Sequence, residues 1–223
     1  HEVNYRANIF ALKSLGARRI LGFSAAGSLR KEIRPSELAL TAQYFDHTRG
    51  KRNYSFFGEG VSAHVSTAYP TCPVLGADIA DAAARINAPL HLDKTYACVE
   101  GPRLGTRAES FFLRDSAQSD LVGMTNVPEV FLAREAQLAY CTLCLVTDYD
   151  CWMDDPAEHV SVDKFFATYQ STLTKALAVL TELLKQPFRP TPDEVRQSLA
   201  GAVLTPDAAL TDAQRAWLDV LRA

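Results

Sequence analysis

The chain has 223 residues, and 23 Lys and Arg against 26 Asp and Glu leave a formal charge of −3. That balance excludes a basic footprint for nucleic acid or an anionic membrane surface, and no apolar run approaches the roughly 20 residues that span a bilayer. Hydrophobic residues at 48% and charged residues at 22% are proportions of a globular domain rather than a disordered chain, and without the basic-then-apolar plan of a secretory signal a cytoplasmic location is expected.

Val3, Ala7, Phe10 and Ala11 fall at helical spacing, and Gly16 offers a stop. Ile20 to Phe23 then reads as a short buried strand that delivers the chain into the small-residue run Ser24-Ala25-Ala26-Gly27-Ser28. Further strands are expected over 37–42, 95–99, 120–124 and 138–147, alternating with helical patterns over 74–86, 106–117, 128–136 and 161–184. Strands alternating with helices predict an α/β sandwich around a largely parallel or mixed sheet. After Leu184, Pro187, Pro190 and Pro192 mark a linker, and Thr191 with Pro192 suits the start of a helix over 193–199. Thr211 suits the cap of a last helix, whose apolar face of Ala213, Trp217, Val220 and Leu221 must dock on the body or on a neighbour. The expected division is a main domain over 1–185 and a helical tail over 186–223.

Five cysteines at irregular spacing argue against a disulfide framework, and Cys141 and Cys144, three apart in an apolar strand, face opposite ways. Core packing is the expectation for both. The histidines are scattered without metal-ligand spacing, so no metal site is expected. The chain opens at His1 without an initiator Met and runs almost at once into a helical pattern, as if cut from a longer polypeptide.

Chemistry is concentrated after the strands. Ser24 to Ser28 offers backbone N–H groups and a hydroxyl to an anion, although a tight turn packed for shape has the same look. The polar loop from Glu100 to Glu109, between a strand and a helix, lies where open α/β sheets bind ligands, or is an ordinary connection. Gly123-Met124-Thr125-Asn126 again follows a strand, with capping of the next helix as the alternative role for Thr125 or Asn126. If the strand through Thr147 continues, Asp148 and Asp150 share a face, and burial beside a like charge raises a carboxyl pKa toward a proton donor's range. Acidic caps of the following turn are the equal alternative. His64 is a lone histidine, a type more often structural than catalytic.

Taken together, VNYRANIFALK (Val3 to Lys13), AAGSLR (Ala25 to Arg30), EGPR with RAES (Glu100 to Arg103, Arg107 to Ser110), GMTNVPEV (Gly123 to Val130), TDYDCW (Thr147 to Trp152) and HVSVD (His159 to Asp163) resemble the trimeric branch of the purine nucleoside phosphorylase family. The likeness is strongest to members acting on 5′-methylthioadenosine and runs from about Val3 to Leu184. It implies a nucleoside phosphorylase-like α/β fold and attack of orthophosphate on the anomeric carbon of a purine nucleoside, with phosphate as co-substrate and no cofactor. It further implies that Ser24, Ala25 and Thr125 hold phosphate, that Met124 lies at the ribose with Gly123 also binding substrate, and that Leu104 and Gly105 border the purine. Asp148 would serve purine N7 with Asp150 in support, Val162 and Phe165 would wall the 5′ group, and His64 would be lent to a neighbour's pocket in a homotrimer. The family's first phosphate-binding elements lie before the point where this chain begins, so an incomplete N-terminus is expected. A 6-oxopurine phosphorylase, a nucleosidase of the same family, and a truncated non-catalytic nucleoside-binding or assembly subunit stand as alternatives.

Overall fold

The computed structural model describes residues 1–155, 159 and 162–223, with the side chains of residues 162–164 outside that description. In chain order the elements are α1 (Tyr5–Ser14), β1 (Arg19–Ser28), β2 (Leu38–His47), α2 (Pro73–Arg85), β3 (Leu90–Val99), α3 (Arg107–Phe111), β4 (Leu121–Gly123), α4 (Glu129–Glu135), β5 (Ala139–Asp148), α5 (Val162–Leu183), α6 (Asp193–Arg196) and α7 (Asp212–Arg222). A π-helical turn, Phe112–Ser116, continues α3, and a 3₁₀ turn, Asp207–Ala209, precedes α7.

The sheet is mixed, as expected, and it closes on itself in the order β1-β4-β3-β2-β5. β1 runs parallel to β5 and β3 parallel to both β2 and β4, while the β1–β4 and β2–β5 seams are antiparallel. Closure leaves β5 buried along its length until Asp148, which is why its sequence is a continuous apolar run rather than an alternating one. Its two faces feed different cores. Tyr140, Cys144 and Val146 join α1, α4 and α7, whereas Cys141, Leu143 and Leu145 pack with α2 and α5. Cys141 and Cys144 are accordingly free, buried thiols in separate clusters.

Three local expectations are corrected. The run Ser24 to Gly27 is strand, not turn: β1 continues through it because its backbone pairs with Cys144 to Asp148 of β5, and the turn begins only after Ser28, whose hydroxyl accepts from the Arg30 N–H. Asp148 ends β5, so Asp150 does not share a strand face with it. Asp150 has φ +52° in the following turn. Finally, α6 is capped by Pro192 and stops at Arg196, one short turn instead of a helix to 199, while α7 does start on a Thr211–Gln214 capping box.

The C-terminal segment is not a free appendage. Leu199, Leu210, Leu218 and Leu221 are buried in the cluster that holds Tyr5 and Ile9 of α1. No helix among the described residues is long and apolar enough to cross a membrane. Leu218 is completely buried, so Leu218→Ala is expected to cost about 2–5 kcal/mol, read as a lowered urea midpoint. A loss below about 1 kcal/mol, the cost of a shallow contact, would show that α7 does not pack as described.

Candidate active site

A cavity of about 840 Å³ opens where the ends of β1, β3, β4 and β5 meet. Antiparallel pairing of Gly27 with Val122 crosses the end of β1 over β4, and a bulge between Ala26 and Gly27 shifts the register so that Gly27 faces Asp148. Glycine is needed at position 27, because a Cβ there would lie 2.8 Å from Asp148 Oδ1 and 3.2 Å from Asp150 Cβ. The sequence-predicted residues Ser24, Ala25, Leu104, Gly105, Gly123, Met124, Thr125, Asp148, Asp150 and Phe165 all line this space.

At one end the Ser24 and Thr125 hydroxyls lie 3.0 Å apart, although 101 residues separate them. Neither Thr125 nor Asn126 supplies the side-chain cap considered for them: the N-cap of α4 is Pro128 and makes no side-chain cap bond, so the Thr125 hydroxyl is available to the cavity. At the carboxyl end, the Thr147 hydroxyl donates to Asp148 Oδ2 at 2.7 Å and the Asp150 N–H donates to Oδ1 at 2.8 Å. Burial still pushes the Asp148 carboxyl above the usual carboxylate range, with those donors working against it. Asp150 is raised by burial and again by its neighbour's charge. The turn, not strand alternation, brings the two carboxyls together.

The loop that borders this end is fixed by charge. Thr106 and Glu109 form a capping box at the start of α3, and Arg103 donates to both Glu109 oxygens at 2.8 and 2.6 Å. Arg103 first, then the loop amide of Thr106, hold the Glu109 carboxyl down to about 2. Leu104 and Gly105 are thereby held between two anchored residues. An aromatic wall of Phe23, Phe165, Phe166 and Tyr169 closes another side, with Phe165 stacked on Tyr169 at 5.8 Å. The Val162 side chain lies outside the described residues.

His64 is exposed and lies outside this cavity, on a segment whose N–H bonds to Ala202. His47, Arg49 and Lys51 line the cavity although nothing singled them out: the stretch Arg49-Gly50-Lys51-Arg52 reads as a solvated basic run. Among the described residues no group of three or more His, Cys, Asp or Glu is placed to hold a metal.

A closed mixed sheet with helices on its faces and a cavity at its strand ends, lined by a hydroxyl pair and a buried acid, is the arrangement in which α/β proteins bind ligands. Comparison with known proteins agrees: a family model described as the phosphorylase superfamily matches residues 1–185, and the chain belongs to that superfamily. It is 40% identical over 220 residues to an S-methyl-5′-thioadenosine phosphorylase of Geobacter sulfurreducens, covering 99% of this chain and 76% of the relative. It is 42% identical over 205 residues to one of Hyperthermus butylicus, covering 92% and 73%. Among solved structures, a methylthioadenosine phosphorylase from an antarctic soil metagenomic library superposes with a TM-score of 0.89 at 39% identity, covering 99% of this chain and 77% of that one. A methylthioadenosine phosphorylase from Schistosoma mansoni in complex with adenine gives 0.84 at 31%, covering 91% and 79%.

A carboxyl whose pKa is higher in the folded than in the unfolded chain makes the fold less stable as it ionises. Asp148→Asn keeps the shape and removes that charge. The thermal midpoints of the two proteins are therefore expected to converge at low pH, where both states hold the proton. They should diverge in favour of the variant as pH rises through the ordinary carboxylate range, and the gap should level off once Asp148 has ionised in the folded protein. In a chain of this size about 1 kcal/mol moves the midpoint roughly 2–4 °C. A variant less stable than the parent at neutral pH would contradict the burial argument.

Proposed function

We propose that the protein catalyses phosphorolysis of 5′-methylthioadenosine, giving adenine and 5-methylthioribose 1-phosphate, with orthophosphate as co-substrate and no metal or organic cofactor. The observation that carries this reading is the placing of a buried Asp148, its carboxyl pushed above the usual carboxylate range by burial, in the same cavity as the Ser24–Thr125 hydroxyl pair. Phosphorolysis passes through positive charge on the sugar and negative charge on the departing purine, so it calls for an anion at the sugar and a proton or hydrogen bond at N7. Ser24, Ala25 and Thr125 hold the phosphate, Gly123 and Met124 bound the ribose, and Leu104 and Gly105 border the base. Asp148 donates to N7 and accepts from the 6-amino group, and Asp150 supports it through its N–H.

The aromatic wall that includes Phe165 suits an apolar 5′ substituent, worth about 0.8 kcal/mol for each CH₂-sized group it buries. The exposed placing of His64 outside its own chain's cavity leaves it available to a neighbouring subunit, which supports a homotrimer in which each subunit lends this residue to the next; the location proposed for the protein is the cytoplasm.

A carboxyl favours a 6-amino over a 6-oxo purine, because an ionised carboxylate would face the 6-oxo group acceptor to acceptor. Asp148→Asn supplies an amide donor instead. It is expected to lower kcat/KM for 5′-methylthioadenosine and to shift the ratio toward 5′-methylthioinosine by roughly 5- to 150-fold, the equivalent of about 1–3 kcal/mol for one mispaired buried group. An unchanged ratio would remove Asp148 from base reading.

A further inference from the structure

Tyr44, Tyr96 and Tyr140 project from β2, β3 and β5 into the barrel, and a hydroxyl in such a core needs partners. Tyr44 lies between Thr41 at 2.6 Å and Thr142 at 3.1 Å, and Tyr140 donates to Glu129 at 2.7 Å and accepts from Thr142 at 3.0 Å. Tyr96 differs from both. Its ring leans on Tyr44 with centroids 5.9 Å apart, the residue is wholly buried, and its hydroxyl contacts two groups at the cavity: Ser24 Oγ at 3.3 Å and the Thr125 N–H at 3.5 Å.

Counting protons gives these contacts a direction. The Thr125 N–H can only donate, so the Tyr96 oxygen accepts from it, and the single Tyr96 proton is left for Ser24 Oγ. With an acceptor position of Ser24 filled from behind, its own proton is left for the acceptors around it: the Ala25 carbonyl at 3.2 Å, Thr125 Oγ1 at 3.0 Å, or an anion in the cavity. Burial keeps the Tyr96 phenol well above its ordinary pKa, so this donor persists throughout the working pH range.

The chain around position 123 is shaped for this contact. A Cβ on Gly123 would overlap the Tyr96 hydroxyl and lie 2.6 Å from its Cζ, so only glycine lets the phenol reach the segment that carries Thr125. Gly123 thus has a defined task beside the ribose. It makes room behind the site.

From this geometry we infer that Tyr96 is the positioning residue of the anion site, aligning the Ser24 hydroxyl and the Thr125 backbone for an incoming phosphate. The inference rests on the reading above that Ser24 and Thr125 hold phosphate.

Tyr96→Phe keeps the ring and deletes only the hydroxyl. With the natural full-length protein, the KM for phosphate is expected to rise about tenfold, the size of one lost hydrogen bond. The KM for 5′-methylthioadenosine should stay within about twofold, since Tyr96 reaches neither the base loop nor the aromatic wall, and the rise of the thermal midpoint with added phosphate should shrink in parallel. Gly123→Ala should act in the same direction and raise the phosphate KM at least as much, because its Cβ would displace the ring as well as the hydroxyl. An unchanged phosphate KM in Tyr96→Phe, or equal rises in both KM values, would overturn the role of Tyr96 while leaving phosphorolysis intact. Parent enzyme that cleaves the nucleoside equally fast without phosphate would overturn the anion-site reading, and this inference with it.

Discussion

Arg52 is the interaction on which the site's geometry depends. Its side chain is fully buried and its Nε donates to Glu100 Oε1 at 2.8 Å, while the other Glu100 oxygen takes the Arg49 N–H at 2.8 Å. The remaining guanidinium donors reach the backbone carbonyls of Val127, Val99 and Glu100, and the group lies over the Tyr5 ring at 5.6 Å. One cation therefore joins α1, the loop after β2, the end of β3 and the segment after Met124 and Thr125. Burial opposes the ionised form of Glu100, but Arg52 and the Arg49 amide outweigh it and hold the carboxyl below its ordinary value. A buried pair of this kind adds little net stability over an apolar replacement, whereas removing one partner strands a charge at a cost of about 3–5 kcal/mol. It secures where the loops sit more than how firmly the chain folds.

Around that anchor the cavity separates two electrostatic tasks. The Ser24–Thr125 end presents two hydroxyls, and the Asp148–Asp150 end keeps carboxyls in surroundings that favour their protonated form. On the reading proposed above, a nucleoside held between them has its sugar over one and its base against the other, the arrangement that a glycosidic transition state with opposite charges on its two halves calls for. The Arg103–Glu109 pair performs for the base loop what Arg52–Glu100 performs for the strand ends. Both place a loop with an ion pair instead of with a core, which suits segments too polar to bury apolar surface.

Much of this was legible in the residues, and the exceptions have physical reasons. Continuous apolar runs and helical spacing marked β5, α2, α5 and α7 because burial on one or two faces leaves a periodic trace. Ser24 to Gly27 misled: the run has no β-branched or large side chains, and it is strand only because β5 supplies hydrogen bonds to its backbone. The closeness of Asp148 and Asp150 was anticipated from strand alternation, yet it arises from a left-handed turn at Asp150. Arg52 and Tyr96 gave no local signal. Their partners lie 48 and 72 residues away in Glu100 and Ser24, and an arginine in a basic run or a tyrosine in a strand carries no mark of a distant carboxylate or hydroxyl.

The most direct test of the account is the fate of the sugar. Incubating the natural full-length enzyme with 5′-methylthioadenosine and phosphate, and following products by phosphorus NMR together with chromatography of the base, is predicted to show adenine and 5-methylthioribose 1-phosphate appearing in equal amounts, with no cleavage when phosphate is withheld. Free 5-methylthioribose released at the same rate with or without phosphate would contradict it.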